Sequence, residues 1–294
     1  MALDYYKVIH GTLVAVSYQP DGDSIRFVAD DPDQFGELHR GHQVIPSRRD
    51  GSVQLRLEGI DAPETHYGKA KQPLGDAARD ALLSTLGFAS WDFEADGATV
   101  EMTSPEAVSA TILTKAADVH GRPISYLFRD GVIPHDDGDV VPLGGNLFYE
   151  SANCKMVSSG DAYPLCYSST PRAHRSALRE AARHARAHSL GVWGQDESEL
   201  FSLVDAASIG IHGALIYPKL FRRCTDYLKQ ALAAQVDYNL ADWLRDNPSE
   251  DDKLFIEHGG RSRPIVVPLH AAIEQRNARI AFMPDLTELV FIEK

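Results

Sequence analysis

The chain has 294 residues, a net charge of −13, and 44% apolar against 24% charged residues. These are the values of a globular protein with a sizeable core in one large or two ordinary domains, which excludes a disordered or fibrous chain. No apolar run reaches the roughly 18 residues of a membrane span, and the opening Met-Ala-Leu-Asp-Tyr-Tyr-Lys lacks the basic-then-apolar order of a secretory signal. A cytoplasmic location with no membrane partner is therefore expected. Cys154, Cys166 and Cys224 are an odd count without C-x2-C spacing, as buried, inert thiols in a reducing compartment would be.

Tyr6 to Ser17 is apolar and β-branched enough for a strand, and Asp21-Gly22 turns the chain into a second one, Ile25 to Val28. Residues 30–52 are polar and carry His39, Arg40, His42, Arg48 and Arg49, a long loop for a hairpin. Val53, Leu55 and Leu57 then alternate with Gln54, Arg56 and Glu58, the period-two pattern of a half-buried strand, which breaks at Gly59 and Ala62-Pro63. Pro73 to Leu86 reads as a helix with Leu74, Ala77, Ala78, Ala81, Leu82 and Leu86 on one face and Gly87 at its end. Thr99–Thr103, Ala110–Ala117 and Ile124–Phe128 follow as strands, the last preceded by Asp118-Val119-His120-Gly121-Arg122.

Residues 131–170 read as loops around one short segment, Asn146 to Val157. The next helix starts near Thr170-Pro171, runs to about Ser189 and closes at Gly191. Arg172, Arg175, Arg179, Arg183 and Arg186 share one face of it. That face is either solvated, opposite the packed Leu178, Ala182 and Ala185, or a basic ridge for phosphates. Asp196 to Glu199 is a linker or helix start. Tyr217–Leu232 is an amphipathic helix with Leu220, Tyr227, Leu228 and Leu232 as candidate core, and Leu240–Asn247 is a second helix, stopped by Pro248. Lys253–Ile256, Pro264–Leu269 and Leu289–Ile292 are strand-like. Residues 196–294 thus form a small C-terminal α+β appendage without a catalytic motif.

Three turn-and-strand segments deliver acids or an arginine: Asp21-Gly22-Asp23-Ser24; Arg56 with Asp61-Ala62-Pro63-Glu64; and His120-Gly121-Arg122. In this order, with the Arg-x4-Asp-x2-Glu spacing intact, they resemble the staphylococcal nuclease (thermonuclease) family. Leu190-Gly191-Val192-Trp193 is similar to the end of that family's last helix. The resemblance spans roughly residues 5–195. It implies a mainly β, α+β domain over 1–195: a five-stranded oligonucleotide/oligosaccharide-binding barrel with packed helices.

The same resemblance implies a hydrolase, a calcium-dependent endonuclease or exonuclease acting on DNA and/or RNA and leaving 3′-phosphate ends. Phosphodiester cleavage adds negative charge at phosphorus, so it calls for a hard cation on oxygen ligands and for fixed donors. Carried over residue by residue, Asp23, Asp61 and the backbone carbonyl of Ala62 hold Ca2+, with Mg2+ or Mn2+ as substitutes and Asp21 in the outer shell. The family's usual residue at the position of Ala62 is Thr. Glu64 is the general base, and Arg56 and Arg122 donate to the phosphate. His120, Tyr163 and Tyr167 are candidates for substrate binding; Val119-His120 stands where the family often has Lys-Tyr.

The charge speaks against a strong general grip on nucleic acid. Residues 1–195 carry 26 acidic and 18 basic side chains, and residues 196–294 carry 16 and 11. Two alternatives follow: an inactive nucleic-acid- or protein-binding module of the same fold, or an interaction protein whose C-terminal part is the working end. A cytoplasmic nuclease also needs restraint, by its C-terminal part or by a special substrate.

Overall fold

The computed structural model describes residues 4–234, 239–257 and 264–293. The chain forms two compact units, each assembled from separate stretches: Met1–Ile60 with Ala78–Met156, and Asp61–Ala77 with Val157–Lys294. The division at residue 195 marks where the motifs end, whereas these units follow the packing.

The first unit is built on a sheet. Its elements include β1 (Tyr5–Val14), β2 (Arg26–Ala29), β3 (Val53–Gln54) and β4 (Arg56–Leu57); β5 (Ile60–Asp61) then leads into the acidic turn. Helix α1 (Gly75–Leu86), a hairpin of β6 (Ser90–Phe93) and β7 (Val100–Ser104), and the long strands β8 (Ala107–Ala117) and β9 (Pro123–Arg129) follow. β1 pairs antiparallel with β2 and β8, β8 with β9, and β2 with β3, while β9 runs parallel to β4.

β3 and β4 are successive pieces of one extended stretch, so the sheet returns on itself. Gln54 lies opposite Arg26 and Arg56 opposite Ile124. The N–H groups of Leu55 and Leu57 donate to the carbonyls of Ile25 and Asp23 at 2.9 and 3.0 Å. The result is the nearly closed barrel expected from the sequence, of oligonucleotide/oligosaccharide-binding type. Its period-two pattern puts Ile9, Leu13, Phe27, Leu55, Leu57, Ile112 and Leu127 in the core, where burial of apolar surface drives folding. On α1 the buried apolar positions are Ala78, Leu82, Leu83 and Leu86; Ala77, expected on that face, is exposed.

Helices α2 (Asn146–Glu150) and α3 (Ala152–Ser159) stand where one short segment was expected. The second unit contains α4 (Arg172–Ala187), α5 (Pro218–Ala234) and α6 (Leu240–Asp246). Strand Lys253–Ile256 pairs with Leu289–Phe291, which runs parallel to Cys166–Tyr167. Of the expected strand Pro264–Leu269 only Val267–Pro268 forms, and a hairpin of Ile273–Arg276 with Arg279–Phe282 is present in addition. α5 buries Leu220, Phe221, Cys224 and Leu228, one face at helical spacing; the side chain of Leu232 lies outside the described residues. All three cysteines are buried free thiols. Among the described residues no helix is long and apolar enough to cross a membrane.

The arginine ridge of α4 is solvated in part: Arg172, Arg183 and Arg186 are exposed and Arg175 is buried, and carboxylates meet the row. Glu257 accepts from Arg175 at 2.8 and 3.0 Å and from Arg179 at 2.8 Å, and Arg172 lies 3.7 Å away. Glu288 pairs with Arg179 at 3.2 Å and with Arg183. Asp285 takes both terminal nitrogens of Arg186 at 2.8 and 3.0 Å. The ridge therefore binds carboxylates in the segments flanking the C-terminal strands. Hydrogen bonds from Arg175 hold the Glu257 carboxyl below its ordinary range against the effect of burial. Burial would raise Asp285, but bonds from Arg186 and Thr287 hold it down at about 2.

Candidate active site

The expected site residues fall into two groups, each held by its own unit: Asp21, Asp23, Arg56, His120 and Arg122 in the first; Asp61, Ala62, Glu64, Tyr163 and Tyr167 in the second.

In the first unit the barrel closure brings three motifs to neighbouring strands. The carbonyl of Asp23 accepts from Leu57, next to Arg56, and Arg56 is in register with Ile124, two residues past Arg122. Asp21 closes its own turn: its carboxylate accepts from the N–H of Gly22 at 2.8 Å, and its N–H donates to Ser24. Arg122 is set by Asp118, a residue whose role the motif alone did not reveal. One Asp118 oxygen accepts from the N–H groups of His120 and Arg122 at 2.9 and 3.0 Å, and the other takes the guanidinium at 2.7 Å. Burial would raise this carboxyl; the Arg122 N–H and guanidinium outweigh it and hold the carboxyl below its ordinary range. The turn requires glycine at 121, where φ is +76° and a β-carbon would stand 2.1 Å from the carbonyl oxygen of Gln43. His120 is exposed.

In the second unit the acidic turn is buried: Asp61 is 2% and Glu64 9% exposed. The turn is stitched to Gln72, whose side chain accepts from the Glu64 N–H at 3.2 Å and whose N–H donates to the Glu64 carbonyl at 3.0 Å. Gly75 lets the chain pass close beneath, since a β-carbon there would lie 2.5 Å from the Glu64 carbonyl oxygen. Buried carboxylates need a partner. It comes from α5: Arg222 donates to both oxygens of Asp61 at 3.0 and 2.9 Å, and the nitrogen that meets Asp61 Oδ1 also donates to Glu64. Burial works against the charge of Arg222, but Asp61 and Glu64 prevail and raise its pKa further.

Helix α5 is held in place on both sides of this contact. Lys219 and Arg223 pair with Asp252 at 3.3 and 2.9 Å, Arg223 also with Glu250 at 2.6 Å. Tyr67 donates to Asp226 at 2.6 Å, and Gln72 donates to the carbonyl of Ile216 at 2.7 Å. Tyr163 is fully buried; its hydroxyl donates to Asp196 at 2.9 Å, and its ring packs on Trp193 and Tyr217. Tyr167 is half-buried, with the ammonium of Lys219 3.4 Å from its hydroxyl.

Residues 54–195 match the family model described as staphylococcal nuclease homologue. This stretch, just under half of the chain, is similar to a staphylococcal nuclease homologue domain. No curated protein matches the chain. The matched stretch contains Arg56, Asp61, Glu64 and Arg122. It starts after the Asp21–Ser24 turn, and the pairing of β2 with β3 joins the nuclease-homologue stretch to the strands before it.

The family's cation does not fit the second unit's donors as they stand. Asp61 and the Ala62 carbonyl are hard oxygen donors, but both Asp61 oxygens already accept from Arg222. Two carboxylates less one guanidinium also leave one net negative charge for a dication. Among the described residues no three His, Cys, Asp and Glu side chains cluster as a bound ion would need.

Proposed function

We propose that the protein hydrolyses phosphodiester bonds of DNA and/or RNA. The family match over residues 54–195, with Arg56, Asp61, Glu64 and Arg122 inside it, carries this reading. Glu64 removes a proton from the attacking water, whose oxygen adds to phosphorus as the bond to the 5′-oxygen breaks. The products end in 3′-phosphate. Arg56 and Arg122 donate to the non-bridging oxygens, and their bonds strengthen as charge grows there, so binding energy is expressed in the transition state. Asp118, by fixing Arg122, positions one of the two donors. His120 and Tyr167 lie toward the surface and serve substrate binding. Calcium is the proposed ion, on the strength of the family alone. Cytoplasmic residence accords with three free, buried thiols.

A second reading has one observation in its favour. Asp61 and Glu64 are both engaged by Arg222, as suits a domain that binds nucleic acid or protein without cutting it. The two part on a product analysis. The nuclease reading expects fragments of single-stranded DNA, duplex DNA or RNA that a polymerase extends only after phosphatase treatment; intact substrate with measurable binding would support the module.

A further inference from the structure

We propose that Arg222 is the resident cation of the acidic turn, and that a divalent ion gains Asp61 only by displacing its guanidinium. The proposal deepens the nuclease reading and rests on it for the identity of the ion.

Three observations carry it. The guanidinium spans the two carboxylates that the family assigns to ion and base, with a two-pronged contact on Asp61 and a third on Glu64. Its charge and a dication's compete for the same oxygens, and in a site this buried their mutual repulsion is poorly screened. The helix beneath is fixed by Lys219, Arg223 and Asp226, so the contact is built into the second unit. The Arg222 side chain is 22% exposed, which gives it a path to solvent. Rotation of the side chain alone releases its contacts with both Asp61 oxygens and with Glu64.

The test is calorimetric titration of the full chain with calcium chloride, without nucleic acid. Arg222→Gln is expected to bind Ca2+ at least about tenfold more tightly than the wild type, the scale set by removing one charge from the immediate shell. Adding Asp61→Asn to that variant abolishes the gain. Arg222→Lys, which keeps a charge but not the fork, gives a smaller gain and serves if the Gln variant does not fold. Unchanged or weaker Ca2+ binding in a folded Arg222 variant overturns the proposal. Tighter binding without cleavage by any form leaves Arg222's role standing and removes the nuclease reading. Calcium-dependent cleavage by the wild type with unchanged affinity in the variants does the reverse.

Discussion

Glu257→Gln removes the carboxylate that faces three arginines of α4. In the native chain Arg175 and Arg179 approach it at 2.8 Å, and its side chain is 14% exposed. Breaking a buried ion pair from one side costs about 3–5 kcal/mol, because the remaining charge is stranded. Arg179 keeps Glu288 at 3.2 Å, so the loss should be smaller, about 2–3 kcal/mol. For a chain of this size that lowers Tm by roughly 5–10 °C. The pH dependence follows from the direction of the shift. The Glu257 pKa is lower in the folded state, so its contribution is present above the unfolded value and lost as pH falls through the folded one. Thermal unfolding of both proteins at about pH 7 should show the gap, which narrows as pH falls below the unfolded carboxyl value of about 4.3 and closes only once pH passes below the lowered folded value. Equal Tm at neutral pH, or a gap that persists into strong acid, would refute the idea that α4 is held by these carboxylates.

Gly121→Ala places a β-carbon 2.1 Å from the Gln43 carbonyl oxygen at a φ of +76°. Urea titration should show a loss of about 2 kcal/mol or more, with cleavage falling too because Arg122 is next in the chain; unchanged stability would contradict the turn argument. Asp118→Asn weakens the contacts that aim Arg122, and cleavage should drop about tenfold or more with little change in helix content by circular dichroism. Since the Asp118 pKa is lowered on folding, its stabilising share is present above its unfolded pKa and fades on acidification; a variant as active as wild type would remove Asp118 from the account.

The barrel was legible in the sequence because its strands alternate. Val53–Leu57 shows period two, and its double pairing, to Arg26–Ala29 and to Pro123–Arg129, is what closes the sheet. The acidic turn was legible through fixed spacing, as every residue from Arg56 to Glu64 sits on one short segment. Arg222 was not: it lies 158 residues from Glu64 on a helix whose polar face looks solvated. The α4 arginines show the same gap, since periodicity reports which side chains share a face but not what meets them. The hairpin at 273–282 was missed because its strands are only four residues each, too short for a clear period; Asn277, at a φ of 55° in the turn, was its one local signal. Asp118 was visible as an acid before Gly-Arg, but only the fold shows both of its oxygens engaged.

The most direct measurement is cleavage of single-stranded DNA, duplex DNA and RNA by wild type and Glu64→Gln, each with calcium, with magnesium and with chelator. The account predicts metal-dependent cutting by the wild type that falls by about two orders of magnitude or more when the base is neutralised. No cutting by the wild type with any ion, or cutting that Glu64→Gln leaves unchanged, would contradict it.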